Sequence, residues 1–549
     1  MAILESRMKH LLLCREYPPA PYPAGGIGTY AQNIATLLAE HDETVHVIAQ
    51  RWKGAPSKVE EVVDGRLVVH RVDMEPPLPV GRRLGLEKRV LYATYFPSQA
   101  YSWEAAHLAE ELVRKEGIDL VEGQDWEAPL YYYQLRRYFG HGPERRAPCL
   151  LHFHSPTEMI VRANEWDETR PDRRMASRIE EWSIAHADSW MAPSRFLARE
   201  AATRFGLSAT DLEVVPYPRP AGRPITRGDD VWAEGSILYV GRLEPRKGVL
   251  EWVEAAVEAA RRDPSLRFEF VGPDSVSDGW RVTDRLHALI PDALAGSFAF
   301  HGEQPRERLA GFLARARVAV VPSRWDNLPN ACLEAMASGL PVLTTRQGGM
   351  AELVVDGETG WVADEADVIH LAAQLDRIRG TPAEVLQQIG ERAAQTVARV
   401  CDPDTVLAAH LALRRRVVAS HTGPTVRGRV LDSGTRMQKG VVVVLVGNRH
   451  VRRRMEHLAA QTQRPDLVVV ANNVSGAAAT GRSAGLAVTT SAGMPGTSPV
   501  LTGADEARPA LPDPVVFLFL GDDLLPEPTY VEALAGAFDA HPELGVVTS

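Results

Sequence analysis

Short apolar runs separated by helix-length segments recur along the whole chain, and this rhythm limits the possible folds more than any other feature. HLLLC (10–14), VHVIAQ (45–50), LVVHRV (67–72), DLVEG (119–123) and CLLHFH (149–154) form a first series, with a helix at about 27–40 between the first two. SILYVG (236–241), RFEFVG (267–272), FAFHG (298–302), VAVVPS (318–323) and LPVLTT (340–345) form a second. Runs of this kind suit parallel strands covered by helices on both faces. Between the two series, VVPYPRPAGRP (214–224) brings four prolines into eleven residues and reads as a hinge. The expectation is an α/β protein with two Rossmann-like, doubly wound domains, 1–220 and 221–420, facing a cleft. Ligands in such sheets sit at the carboxyl ends of the strands. Residues 383–419 have a helical pattern suited to packing back across the hinge.

Beyond residue 420 the pattern changes. HTGPTVRGRVLDSGTRMQKG (421–440) is polar and reads as a linker. A third series occupies 441–549: VVVVLVGN (441–448), a basic helix, LVVVANN (467–473) and VVFLFLGDD (515–523). The stretch 474–513, rich in Gly, Ala, Ser, Thr and Pro, reads as loop.

At 549 residues the chain is long enough for more than one core, and 45% hydrophobic with 24% charged residues is ordinary for a globular protein. A net charge of −10 argues against non-specific nucleic-acid binding as the main task. Cys14, Cys149, Cys332 and Cys401 show neither metal nor disulfide spacing, which favours a reducing cytoplasm. The N-terminal apolar run is too short for a secretory signal. No uncharged run reaches the roughly 18–20 residues needed to cross a bilayer.

Four stretches could carry chemistry. EYPPAPYPAGGIGTYAQNIATLLAE (16–40) follows a strand and opens a helix; Gly25, Gly26 and Gly28 let a ligand approach a helix N-terminus, which favours phosphate. A tight strand-to-helix turn is the plainer alternative, and GGIG lacks the G-x-G-x-x-G spacing of nicotinamide binding. GRLEPRKG (241–248) sets Arg242 and Lys247 after a strand, suited to a diphosphate or simply to solvent. LLHFHSP (150–156) places His152 and His154 on one face, and two histidines without a third ligand are weak grounds for a metal. In RWDNLPNACLEAMASGLPVL (324–343), Pro329 suits a helix's first turn and Gly339 its C-cap. Asp326 precedes that helix and Glu334 lies within it; they suit ligand hydroxyls, although carboxylates there often just complement the dipole.

Together, GGIG after the first strand, GRLEPRKG, D-x7-E in RWDNLPNACLEAMASGLPV, and GGMAELVVDGETGWV (348–362) resemble the retaining glycosyltransferases of GT-B fold, family four, across roughly residues 9–418. The resemblance implies a nucleotide-sugar donor and a saccharide, lipid-linked or small-molecule acceptor bound by the first domain. It implies that Gly25, Gly26 and Gly28 approach the donor phosphates and that Arg242 and Lys247 neutralise the leaving diphosphate. By the same resemblance Glu334 holds the ribose, Asp326 the donor sugar, and His154 lies at the reacting face. Leu328 and Asn330 join the donor-binding set, and backbone near His301 and Gly302 meets the base. No metal or other cofactor is implied. The family's first Glu is replaced here by Asp326, one methylene shorter, which touches donor choice or rate rather than fold.

The third series resembles the nucleotide half of a GT-A, family-two glycosyltransferase. That family needs an Asp near Ala471–Asn473 and a D-x-D for a divalent metal, whereas this chain reads Leu520-Gly521-Asp522-Asp523. The reading is a partial, degenerate module serving docking or assembly, with Asp522 and Asp523 capping a turn. Basic clusters at Arg82–Arg83–Lys88–Arg89 and Arg170–Arg173–Arg174 suit either an anionic membrane surface, giving a peripheral inner-face location, or solvated helix faces. Two other functional readings stand beside glycosyl transfer: a nucleotide-sugar hydrolase or epimerase, and a non-catalytic nucleotide-sugar-binding scaffold.

Overall fold

The computed structural model describes residues 7–20, 25–52, 57–73, 97–138, 143, 145–208, 210–219, 224–277, 279–421, 440–445, 458, 467–471, 488–491 and 515–520. The chain divides into two compact units, one comprising 1–74, 101–135 and 142–423, the other 75–100, 136–141 and 424–549.

The first unit holds two sheets. Strands β1 (Lys9–Leu13), β2 (Thr44–Arg51), β3 (Val59–Val62), β4 (Leu67–Asp73), β5 (Leu120–Gln124), β6 (Cys149–His152), β7 (Ser189–Ala192) and β8 (Leu212–Val214) pair in the order β3-β4-β2-β1-β5-β6-β7-β8. Every pairing is parallel except β3 with β4. The apolar runs read from sequence supply its centre, where β5 is buried at all five residues. Strands β7 and β8 escaped that reading because SWMA and LEV are too short and mixed to register as apolar runs.

The second sheet combines β9 (Ser236–Val240), β10 (Phe268–Val271), β13 (Phe298–Phe300), β14 (Ala316–Val321), β15 (Val342–Thr345) and β16 (Gly360–Ala363). Its order is β13-β10-β9-β14-β15-β16, all parallel, while β11 (Val276–Ser277) and β12 (Trp280–Arg281) form a separate hairpin. The helix Val249–Arg262 buries Val249, Trp252, Val253, Ala256, Val257 and Ala260, a period near 3.6 that marks one face turned to the core. Phe268 and Phe270 are each 1% exposed, and full burial of such side chains stabilises by about 1.5–3 kcal/mol apiece.

The helical 383–419 pattern resolves into two helices, Ala383–Val400 and Pro403–Ser420. The second packs on the first sheet: Arg414, fully buried, forms an ion pair with Glu122 of β5 and lies 3.4 Å from His10 of β1.

The second unit contains a parallel sheet of β17 (Gly440–Leu445), β18 (Leu467–Ala471), β19 (Val488–Ser491) and β20 (Val515–Leu520), ordered β19-β18-β17-β20. Strand β19 corrects the reading of 474–513 as loop: VTTS is β-branched at three of four positions, a local preference hidden by the surrounding composition. Asp522, Asp523 and the Arg82–Arg89 cluster lie outside the described residues.

Candidate active site

Each sheet of the first unit has a point where strand order reverses, between β1 and β5 in one and between β9 and β14 in the other. Crevices open beyond such points, and the residues expected to bind ligand follow these strands. In the second sheet the turn after β9 ends at Gly248, whose φ of 65° is left-handed. A Cβ there would stand 1.9 Å from the carbonyl oxygen of Pro322, so only glycine lets this turn press against the end of β14. The two loops are also joined by the Arg324 N–H, which donates to the Arg246 carbonyl at 2.8 Å.

That approach brings Lys247 onto Asp326, and the two side chains form a hydrogen-bonded ion pair. Arg246 lies 3.5 Å from the same carboxylate and 2.7 Å from Glu244, which Arg242 approaches at 3.5 Å. Ser323 Oγ (3.3 Å) and the Asn327 N–H (3.0 Å) donate to Asp326 as well. Burial pushes the Asp326 carboxyl up, but Lys247 and Arg246 prevail and hold it below its ordinary value. Burial and the neighbouring Arg246 pull the Lys247 ammonium down against the attraction of Asp326. Three cations thus crowd around Asp326 and Glu244, and Arg242, the most exposed of them, is open to an incoming anion. Arg246 was not singled out from sequence, although it stands inside GRLEPRKG.

The helix Gly26–Glu40 follows β1, with Gly25 at its N-cap. The structure adds a residue that sequence reading missed. Glu16 accepts the Gly28 N–H at 2.9 Å, and a Cβ on Gly25 would meet the Glu16 carboxylate at 3.0 Å. Gly25 therefore makes room for a side chain of the same protein. Burial raises the Glu16 carboxyl above its ordinary value. Gly26 faces the second sheet: a Cβ there would lie 3.7 Å from Asn330 Nδ2, so the helices Gly26–Glu40 and Asn330–Ala337 begin beside one another. Pro329 takes the N-cap of the latter helix rather than its first turn, and Gly339 follows its C-cap Ser338 with φ 83°.

His154 lies just past β6, 3% exposed, its ring 4.1 Å from that of His152. Its backbone N–H donates to Asp125 at 2.9 Å, and its ring Nδ1 lies 2.7 Å from the Tyr217 hydroxyl. Burial holds the imidazole well below its ordinary pKa, so it is neutral. Asn327 connects it to the second sheet, donating to the His154 carbonyl at 3.2 Å.

The two halves of this unit match two family models: residues 24–218 match Glycosyltransferase Family 4, and residues 233–396 match Glycosyl transferases group 1. The chain carries the two domains of a GT-B glycosyltransferase. Among curated relatives, glycogen synthase of Mycobacterium tuberculosis is 26% identical over 424 residues, 73% of this chain and 93% of the relative. D-inositol 3-phosphate glycosyltransferase of Nocardia farcinica is 29% identical over 380 residues, 66% of this chain and 80% of the relative. Two solved structures share the fold. Sucrose-phosphate synthase from Thermosynechococcus elongatus has a TM-score of 0.59 at 22% identity, over 75% of this chain and all of its own. Anabaena HepE in complex with UDP-glucose has a TM-score of 0.52 at 17% identity, over 74% of this chain and all of its own. The protein is a retaining glycosyltransferase that moves a sugar from a nucleotide-sugar, and the scaffold and hydrolase readings are not favoured.

The glycosyltransferase places its remaining candidates less centrally. Glu334, partly buried in the helix Asn330–Ala337, lies 3.7 Å from Arg219, while Leu328 is buried just before that helix. His301 follows the edge strand β13; its imidazole meets Glu269 at 3.0 Å and its N–H donates to Phe270. The Gly302 carbonyl accepts the Gly272 N–H at 2.9 Å, so these backbone groups are engaged in closing the sheet end. Among the described residues, no group of three or more His, Cys, Asp or Glu side chains is arranged to hold a metal ion, and no helix is long and apolar enough to cross a membrane.

Proposed function

We propose that residues 221–420 bind the diphosphate of the nucleotide-sugar against Arg242, Arg246 and Lys247, and that 1–220 presents the acceptor. The observation that carries this reading is the juxtaposition of Gly26 with Asn330, which sets two helix N-termini side by side, the second of them just past Asp326, the partner of Lys247. Both termini favour anions, and a nucleoside diphosphate carries the charge to match. Glu334 then faces the ribose, Asp326 the donor sugar, Leu328 and Asn330 the nucleotide, and His154 the reacting carbon.

Transfer breaks the bond between anomeric carbon and phosphate oxygen and forms one from the acceptor oxygen on the same face. The acceptor proton passes to the departing phosphate, whose charge the fixed cations stabilise without a metal. Solved neighbours support this donor class: HepE is in complex with UDP-glucose, and starch synthase IV of Arabidopsis thaliana is bound to ADP and acarbose. The curated relatives' names point to saccharide or inositol phosphate acceptors.

We further read 441–549 as a partial GT-A-like module joined through 421–440, serving docking or assembly. Its order β19-β18-β17-β20 is that of the first four strands of a doubly wound sheet, with the switch point between β17 and β20. The cysteines Cys14, Cys149, Cys332 and Cys401 are all free and buried, which fits a reducing cytoplasm. In the basic cluster at Arg170–Arg174, Arg170 pairs with Asp172 and Arg173 donates to the Asp167 carbonyl, which fits a solvated helix face.

A thermal-shift screen against UDP-, GDP-, ADP- and dTDP-sugars tests the donor reading. One class should raise the melting temperature by mass action, and the shift should vanish in Lys247→Ala. No shift from any of them, with no transfer detected, would overturn it.

A further inference from the structure

We propose that Asn327 is a positioning residue that, through Tyr217, fixes His154 in the neutral tautomer carrying its proton on Nε2. The inference rests on the placement of His154 at the reacting face, and it concerns how that imidazole is prepared.

Asn327 is 3% exposed and its polar groups are all engaged. Its backbone N–H donates to Asp326 and its carbonyl accepts the Gly349 N–H at 2.6 Å. Its Oδ1 accepts from Ser194 Oγ at 2.9 Å. Its Nδ2 lies 3.2 Å from the His154 carbonyl and 3.2 Å from the Tyr217 hydroxyl. The His154 carbonyl can only accept, so the amide orientation is determined: Nδ2 faces His154 and Tyr217.

The consequence runs through one proton at a time. Because Nδ2 is a pure donor, the Tyr217 oxygen accepts from it and cannot pass its own hydrogen in that direction. The hydroxyl hydrogen then has His154 Nδ1, 2.7 Å away, as its acceptor. An Nδ1 that accepts leaves the ring proton on Nε2. Were Nδ1 protonated instead, the buried Tyr217 oxygen would receive two donors and its own hydrogen would lose this acceptor, a loss costing about 1–3 kcal/mol. The same residue thus sets the polarity of His154 and fastens its backbone to the loop that bears Asp326. His154 consequently offers a hydrogen-bond donor, never a base, at the atom remote from Tyr217.

The test is 15N NMR of the full-length protein labelled at histidine, with the His154 signal assigned by its loss in His154→Gln. No sugar is needed, so the result is independent of whether the donor reading holds; transfer by His154→Gln tests that separately. The wild type should show neutral imidazole protonated at Nε2. Asn327→Ala, which frees Tyr217 to rotate and accept, should show a mixture of tautomers and a kcat about tenfold lower with donor KM little changed. Tyr217→Phe should give the same mixture and serves if Asn327→Ala does not fold. An Nδ1-protonated wild type, or an unchanged Nε2 tautomer in both variants, would overturn the proposal.

Discussion

The ammonium of Lys247 is bonded to the carboxylate of Asp326, although 79 residues separate them in sequence. The pairing of β9 with β14 carries their loops to the same place, and Gly248 closes the gap. The pair holds the fold around a buried carboxylate and, in the function proposed above, presents positive charge to a diphosphate.

Those functions separate by mutation. Lys247→Met should abolish detectable transfer and also lower stability by about 3–5 kcal/mol, because one partner of a buried ion pair is left behind. Adding Asp326→Asn should restore much of the stability and none of the transfer. Urea unfolding beside a transfer assay reads both; full stability in the single variant would show the pair to be energetically idle.

Glu16 places a negative charge at the helix start where the donor phosphates are proposed to lie. Glu16→Gln retains an oxygen for the Gly28 N–H and removes that charge. A nucleoside diphosphate should then bind about fivefold more tightly, the ~1 kcal/mol expected for one nearby charge at a partly solvated site. Isothermal titration with UDP and ADP measures it, and weaker binding would mean that Glu16 organises the site instead of opposing the anion.

Two buried carboxyls give stability a pH dependence. Burial raises Asp125 to about 7 and Glu180 to about 8, against hydrogen bonds that favour their charged forms. The folded state holds these protons more tightly than the unfolded chain, so this stabilisation is complete below about pH 4 and is lost as pH rises through those values. The buried His152, His154 and His410 have lowered values and add their own dependence below about 6.5. Between pH 6.5 and 8 the melting temperature should fall by about 2–4 °C, and Glu180→Gln should flatten that slope. An equal slope in the variant would assign it elsewhere.

Deleting 424–549 should leave sugar transfer intact, since the family matches lie within residues 24–396 and the sheet formed by 440–520 belongs to a different compact unit. Loss of all transfer in a truncated protein that still melts cooperatively would place that sheet in the catalytic machinery.

Much of this architecture could be read from the chain because apolar strands such as LVEGQ and ARVAVV announce themselves locally. Lys247 and Asp326 stood out as charged residues just beyond such strands. Their direct pairing did not, because it depends on which strands become neighbours. Glu16 was obscured for a related reason: a glycine next to a helix start suggests space for a ligand, and here the space at Gly25 is taken by the protein's own carboxylate. Asn327 carries no local signal. An asparagine before a helix is commonplace, and its three side-chain engagements exist only once Ser194, Tyr217 and His154 have been brought to it by the other sheet.

The ion pair between Glu122 and Arg414 has a temporal side. Glu122 sits in the middle of the sheet made first by the ribosome, yet its partner is 292 residues further on. At about 5–20 residues per second the nascent sheet, whose last strand ends at Val214, waits roughly 10–40 s for the guanidinium that neutralises its centre. Throughout that interval Glu122 relies on its earlier-made neighbours, the Tyr30 hydroxyl at 2.8 Å and His152 at 3.7 Å, and on water. The sheet's final closure is therefore an event of late synthesis, brought about by a helix encoded almost three hundred codons downstream.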